Sequence, residues 1–442
     1  MPEDDADVLI LGGGVAGLAA ARRLTGAGRR VILLEARERL GGRIDTRRPD
    51  GWPLPIEMGA EFVHGRPPET WDILRAGGLV AYDVPDTHWH FERGKLRRLN
   101  DFWERLDALL GRMKRLRRDQ SFADFIAAHK RLDARTVRMA MAYVEGFNAA
   151  DARRISAKSI VQAEADADEI EGTKLYRLID GYDGVVRWLT AGADPQRIEF
   201  RLGRIVTNVA WTNGRVTVAA RSRDGDEQTW TAPVVVITLP LGVLKEGAVE
   251  FSPPIQAKQD ALAKLESGPV VKVVLRFDQA FWDTGEVPAA GERLTEAGLI
   301  HADLGERGIA FPTWWTMAAA RVPVLVGWVG GPQALEVSGG PDERVRAHAV
   351  ESLARLFGMQ ATQVERGLQA FRVADWQHDP FARGAYSYVA VGGAGAVEAL
   401  AEPLQQTLFF AGEATHPGMS GTVAGAIASG YRAADEILAH RH

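Results

Sequence analysis

The first apolar run, Val8-Leu9-Ile10-Leu11, is short and hydrophobic on both faces, the pattern of a strand buried inside a parallel sheet. It breaks at Gly12-Gly13-Gly14. A helix is predicted from Leu18 to Thr25, and a second short run, Val31-Ile32-Leu33-Leu34, follows. From about Trp71 to Leu178 the pattern is mostly helical, with Asp101-Phe102-Trp103 leading into Leu106, Leu109, Leu110 and Met113 at steps of three and four. Alternation of period two returns over 198–218, where Asn213-Gly214 predicts a hairpin turn, and 234–238 reads as another buried strand. Strand-like runs at 270–277, 299–304, 309–315 and 322–329 precede a helix over 341–357 and a strand near Phe371. The chain then repeats its opening device: strand 408–413, glycine, and a helix over 422–438. The fold class predicted is α/β, with an α+β part of mixed sheet and helices interleaved into it. The expected division is 1–75, 182–248 and 378–442 for one discontinuous domain, and 76–181 and 249–377 for the other.

The glycines at 12, 14 and 17 have the G-x-G-x-x-G spacing of a dinucleotide site. Gly12 permits the tight turn, Gly14 lets the backbone approach a pyrophosphate, and Gly17 lets the helix lie close to the sheet. The helix then points its amides and positive dipole end at the diphosphate. Glu35 ends the second strand about twenty residues on, where a carboxylate accepts ribose hydroxyls and disfavours a 2′-phosphate. The next residues, from Glu35 and Ala36 to Gly41-Gly42-Arg43, resemble the second flavin fingerprint of glutathione-reductase-like flavoproteins. That resemblance implies a Rossmann domain for FAD, with Arg43 making charge-assisted bonds along the diphosphate.

Composition removes several classes. Among 442 residues there is no cysteine, so thiolate catalysis, disulfides, cysteine metal sites and a cysteinyl flavin are excluded. No metal site is expected. A net charge of -5 with mixed signs gives no nucleic-acid footprint. Arg112, Lys114, Arg115, Arg117 and Arg118 read as a solvated helix face, with an acidic partner as the alternative. No apolar stretch reaches the length of a membrane span, and the N-terminus, with Glu3, Asp4, Asp5 and Asp7, lacks the basic start of a signal peptide. A cytoplasmic setting is expected.

Five further segments sharpen the resemblance: 58–65 (MGAEFVHG), 181–184 (GYDG), 238–244 (TLPLGVL), 375–388 (DWQHDP…GAYSY) and 410–416 (FAGEATH). Together, in this order, they resemble the flavin-containing monoamine and polyamine oxidase family, including its histone-demethylase branch. The resemblance implies oxidation of an amine by hydride transfer from its α-carbon to flavin N5, with O2 returning as hydrogen peroxide and the imine hydrolysed to an aldehyde. The partners implied are a small amine and O2, for a monomer or homodimer.

It also assigns residues. Gly59, Ala60, Glu61, Gly412 and Glu413 approach the cofactor, Val206 meets adenine through its backbone, and Thr422 and Val423 turn a helix N-terminus toward the flavin ring. Lys272 matches a lysine that holds a water near flavin N5, whereas strand alternation alone favours a solvent-facing lysine. Trp376 and Tyr386 match aromatic residues lining the cleft, with core packing as the alternative. His64 matches a histidine near the substrate nitrogen in polyamine oxidases; a loop histidine satisfied by its neighbours is the plainer reading. Glu61 is also a candidate carboxylate for a cationic substrate, and of adjacent Trp314 and Trp315 at most one should face the pocket. Ala385 stands where mitochondrial monoamine oxidases carry the flavin-linked cysteine, so FAD should be noncovalent. Met419 and Thr422 replace a tyrosine frequent in relatives, and Ala424 a histidine. The readings left beside amine oxidation are an L-amino-acid oxidase, an isoprenoid or porphyrin oxidoreductase, and a noncatalytic FAD-binding protein.

Overall fold

The computed structural model describes residues 5–99 and 102–440. Glu3, Asp4 and Asp101, and the side chains of Phe102 and Trp103, lie outside the described residues.

A five-stranded parallel sheet carries the opening motif, in the order Ile198–Arg201, Val31–Leu34, Val8–Leu11, Val234–Ile237, Leu408–Phe410. Val8 faces Val31 on one side and Val234 on the other, so the first strand is central and buried throughout. Helix Val15–Gly26 starts three residues before the predicted point, because Val15 and Ala16 are already packed. It lies against the C-terminal helix Val423–Ala439 so closely that a Cβ on Gly430 would sit 2.1 Å from the Ala16 carbonyl oxygen. The opposite face is covered by the meander Ile205–Thr212, Arg215–Arg221 and Glu227–Ala232, whose first turn is the Asn213-Gly214 hairpin.

A second, seven-stranded mixed sheet runs Leu368–Asp375, Val270–Phe277, Val324–Gly330, Thr313–Thr316, Leu299–Ala302, His88–Glu92, Lys95–Arg98. Helix Asp342–Phe357 covers one face with Val345, Ala349, Leu353 and Phe357. The last two strands correct the sequence reading, which left the stretch from about Trp71 to Leu178 mostly helical. His88-Trp89-His90-Phe91 does alternate, but both of its faces are buried, so its histidines do not mark a wet side. The helices Phe122–Ala128, Ala134–Ala142 and Ala157–Glu169 form a small layer of their own. Arg112, Lys114, Arg115, Arg117 and Arg118 are all exposed, but helix Phe102–Met113 ends after the first of them, so the basic stretch is a solvated turn rather than a helix face. No described helix is long and apolar enough to cross a membrane.

Candidate active site

One continuous cavity of about 1220 Å³ runs from the first glycine turn to the seven-stranded sheet. Gly12, Gly14, Glu35, Gly41, Gly42 and Arg43 line one end. Gly59, Ala60, Glu61, His64, Lys272, Trp376 and Tyr386 line its middle, and Gly412, Glu413, Thr422 and Val423 close it from the C-terminal side. Three expected cofactor residues are not on the wall. Gly17 acts from behind, where a Cβ would lie 2.0 Å from the Gly12 carbonyl oxygen, so it sets the approach of helix to strand. Ala36 and Val206 do not line the cavity either, and the Val206 side chain is packed in the core between the parallel sheet and the meander.

The glycine-lined end of the cavity fits a dinucleotide. A Cβ on Gly14 would meet nothing within 4 Å, so the backbone there faces open space. The helix that follows has no side-chain cap and no acid in its first turn, leaving its amides to an anion. The Glu35 carboxylate accepts from the Gly13 and Arg37 amides at 2.6 and 2.8 Å. Burial nevertheless pushes its pKa upward. Arg43 donates to the Ala385 carbonyl at 2.7 Å and to Glu413 at 2.9 Å, while the other Glu413 oxygen accepts from Ser387 and the Gly421 amide. This carboxylate therefore joins the second fingerprint to the C-terminal turn. Helix Val423–Ala439 begins at the cavity, capped by Thr422 Oγ1 accepting from the Gly425 amide, again with no acid in its first turn.

The middle of the cavity is built around Lys272. Its strand is covered on both faces, so the alternation that pointed this residue to solvent fails and its side chain is fully buried. Lys272 Nζ donates to Glu61 Oε2 at 2.7 Å and to the Gly59 carbonyl at 3.2 Å. The other Glu61 oxygen accepts from Trp315 Nε1 at 2.9 Å and meets Arg177 at 2.8 Å. Burial pushes the Glu61 carboxyl up, but Lys272 and Arg177 outweigh it and hold the group below its ordinary value. Glu61 is thus engaged at both oxygens by protein groups, which corrects the expectation that it meets a cationic substrate. Arg177 escaped the sequence reading. It sits in the short strand Leu175–Leu178, where one arginine among apolar residues ordinarily marks an exposed edge.

Aromatic rings finish the wall. Trp376 donates through Nε1 to the Met58 carbonyl at 3.0 Å. Tyr386 stacks on Trp328 with centroids 6.5 Å apart and planes at 17°, and Trp328 lies 6.0 Å from Trp315. Trp315 faces the cavity, whereas Trp314 is buried in the opposite core, as adjacent strand positions demand. Met419 and Thr422 also line the cavity, and the ring beside Tyr386 comes from another element, Trp328, which the apolar run 322–329 concealed. A π-turn, Tyr143–Phe147, holds these rings: the Gly146 carbonyl accepts from Trp328 Nε1 and the Phe147 carbonyl from the Tyr386 hydroxyl. His64 packs edge-on to Phe147 at 5.6 Å, and burial pulls its pKa down to about 4, so the ring is neutral at pH 7. No group of three or more metal-ligating side chains occurs among the described residues.

The sequence profile for flavin containing amine oxidoreductases matches residues 15–438. Lysine-specific histone demethylase 2 of Homo sapiens is 29% identical over 472 residues, covering 99% of this chain and 54% of the relative. Polyamine oxidase 4 of Oryza sativa subsp. japonica is 29% identical over 460 residues, covering 97% and 88%. The chain spans about half the length of the histone demethylases it matches. Among solved structures, putrescine oxidase bound to putrescine is similar with a TM-score of 0.79 at 22% identity, covering 98% of this chain and 99% of that one. Cyclohexylamine oxidase from Brevibacterium oxydans IH-35A is similar with a TM-score of 0.80 at 21% identity, covering 99% of both. At these identities the structural likeness is one of fold.

Proposed function

Because this chain belongs to the flavin-containing amine oxidoreductase family, with FAD as its cofactor, we propose that it oxidises small mono- or polyamines, using O2 and releasing hydrogen peroxide and an imine that hydrolyses to an aldehyde. The observation that carries this reading is the single cavity that joins the dinucleotide turn to Lys272, Trp376 and Tyr386. Bound noncovalently at the glycine end, FAD would supply the two-electron acceptor. The chain's own residues bind, orient and exclude water. The domain division at 76, 182, 249 and 378 belongs to this proposal too.

Lys272, Glu61 and Arg177 bring two cations and one carboxylate together in a buried cluster. Its net positive charge disfavours an ammonium beside it and selects the neutral amine, whose lone pair assists loss of hydride from the adjacent carbon. An ammonium group has three N–H donors, and two on Lys272 are engaged by Glu61 and Gly59. In this reading the third holds a water facing the reacting centre, and the fixed cation stabilises the negative charge that develops on oxygen. Trp315, Trp328 and Tyr386 form the apolar wall that keeps the amine uncharged. In this reading neutral His64 exchanges a hydrogen bond with the amine nitrogen without adding charge. The helix beginning at Val423 starts at the cavity with no acid in its first turn, and with FAD bound there its positive end would stabilise negative charge on the reduced cofactor.

The test is amine-dependent peroxide release by the FAD-loaded protein, with a panel of monoamines, linear polyamines, N-methylated lysine peptides and L-amino acids. Peroxide with an amine class is the expected result. Bleaching of the flavin without peroxide would overturn the oxidase assignment in favour of a dehydrogenase, and activity confined to L-amino acids would replace the substrate class.

A further inference from the structure

Lys272 and Glu61 line the cavity, whereas Arg177 lies behind them and is not on its wall. All three side chains are almost wholly buried. Strand pairing puts Arg177 directly opposite Phe62, the residue after Glu61, and its guanidinium lies 4.9 Å from the centre of the Phe62 ring. From there it reaches Glu61 Oε1 at 2.8 Å. Its other contacts are long: 3.4 Å to the Tyr82 hydroxyl, 3.3 Å to the Ala318 carbonyl and 3.4 Å to the Thr316 carbonyl. Its buried Nε finds no acceptor among the described residues. Glu61 is therefore the partner that the guanidinium is aimed at.

Stability alone does not call for this arrangement. A Lys272–Glu61 pair by itself would be neutral, with the Gly59 carbonyl and Trp315 Nε1 already bonded to its two ends. A second cation takes another ion out of water and leaves a donor unsatisfied, both of which cost stability. What Arg177 changes is charge. With it, one carboxylate is shared between two cations; without it, Glu61 would cancel Lys272. In a desolvated pocket such a difference is weakly screened and is felt across the cavity wall. Resting on the reading of Lys272 given above, we propose that Arg177 is a positioning residue for the redox step: by occupying Glu61 it keeps the Lys272 ammonium uncompensated toward the cavity and so raises the reduction potential of bound FAD. The hydride and its two electrons come from the amine and pass on to O2. Arg177 touches none of these groups and sets only how well negative charge on the reduced cofactor is tolerated.

The experiment is an anaerobic redox titration of the FAD-loaded protein with dithionite and a reference dye, without amine, at pH 6. Burial raises the neighbouring Glu57 to about 7 and lowers His64 to about 4, so both are chiefly neutral at that pH and leave the charge to the cluster. Arg177→Met should shift the reduction equilibrium about tenfold toward the oxidised cofactor, a fall of about 30 mV for a two-electron couple. Arg177→Gln, which can still hydrogen-bond, should fall likewise and keeps the test available if the apolar variant does not fold. Arg177→Lys, which keeps the charge, should stay near the parent. The double variant Arg177→Met with Glu61→Gln removes one charge of each sign and should return toward the parent, a recovery that a packing defect would not show. An unchanged potential in the neutral single variants, or a double variant no closer to the parent than Arg177→Met, would overturn the proposal. Failure of the oxidase reading would show separately, in the peroxide panel, since the titration uses neither amine nor O2.

Discussion

The two halves of the cavity are made from different materials. At the dinucleotide end the contacts are chiefly backbone: amides of the turn and of helix Val15–Gly26, with glycines where side chains would intrude. At the amine end they are side chains, contributed by strands and a π-turn distant in sequence, with Glu61, Arg177, Lys272 and Trp315 meeting across 254 residues. A backbone site is specified by local spacing and tolerates little besides glycine. A side-chain site is specified by register, tolerates exchange of which element supplies a ring, and leaves weaker marks in any one segment.

Loss of a charge at the amine end should have the largest effect. Glu61→Gln leaves Lys272 and Arg177 buried without their carboxylate and should cost roughly 3–5 kcal/mol, read as a fall in denaturation midpoint; a change near zero would mean that water reaches the cluster. Lys272→Met leaves Arg177 to compensate Glu61, so folding should survive while reoxidation of the amine-reduced protein by O2 slows by about 10²-fold. Rapid mixing with oxygenated buffer measures this, and an unchanged rate would remove Lys272 from oxygen chemistry. At the other end, Gly17→Val forces helix from strand at a cost of roughly 1–3 kcal/mol, seen as FAD lost on gel filtration; retention of full flavin would show that this close packing is dispensable. A smaller effect is expected for Tyr386→Phe, which deletes one bond to the π-turn at about 1 kcal/mol and should lower kcat/KM a few-fold without affecting FAD content.

The smallest effects are in pH. His64 is held at about 4, below its ordinary 6.5, so its contribution to stability is full above 6.5 and is lost as pH falls toward 4. Glu57 shows the opposite sign. Burial raises it from 4.5 to about 7, so its contribution is full below 4.5 and is lost as pH rises through 7. Denaturation midpoints of His64→Asn and Glu57→Gln against the parent, across this range, should therefore diverge in opposite directions; parallel curves would refute both assignments.

That division also explains what the sequence disclosed. The glycine turn, Glu35, the Gly41-Gly42-Arg43 turn and the C-terminal strand and helix were legible because each depends on neighbours within a few residues. The fold class followed from the same short runs. Lys272 was misread by alternation because period two reports which face a residue takes, and here both faces are covered. The strands at 81–98 were missed for the same reason, since His88 and His90 imitate a polar face while lying buried. Arg177 and Trp328 had no local signal: the partners that explain them are distant in sequence, Glu61 and the Thr316 and Ala318 carbonyls for one, Tyr386, Trp315 and the Gly146 carbonyl for the other.

The most direct test of the account is the visible spectrum of the FAD-loaded protein titrated anaerobically with amines, run in parallel on the parent and on Trp328→Ala. If this cavity oxidises amines against the aromatic wall, at least one amine class will bleach the parent's flavin band, and the variant will need more amine or bleach more slowly. A flavin band that no amine reduces would contradict the account, and equal bleaching of both proteins would take the aromatic wall out of it.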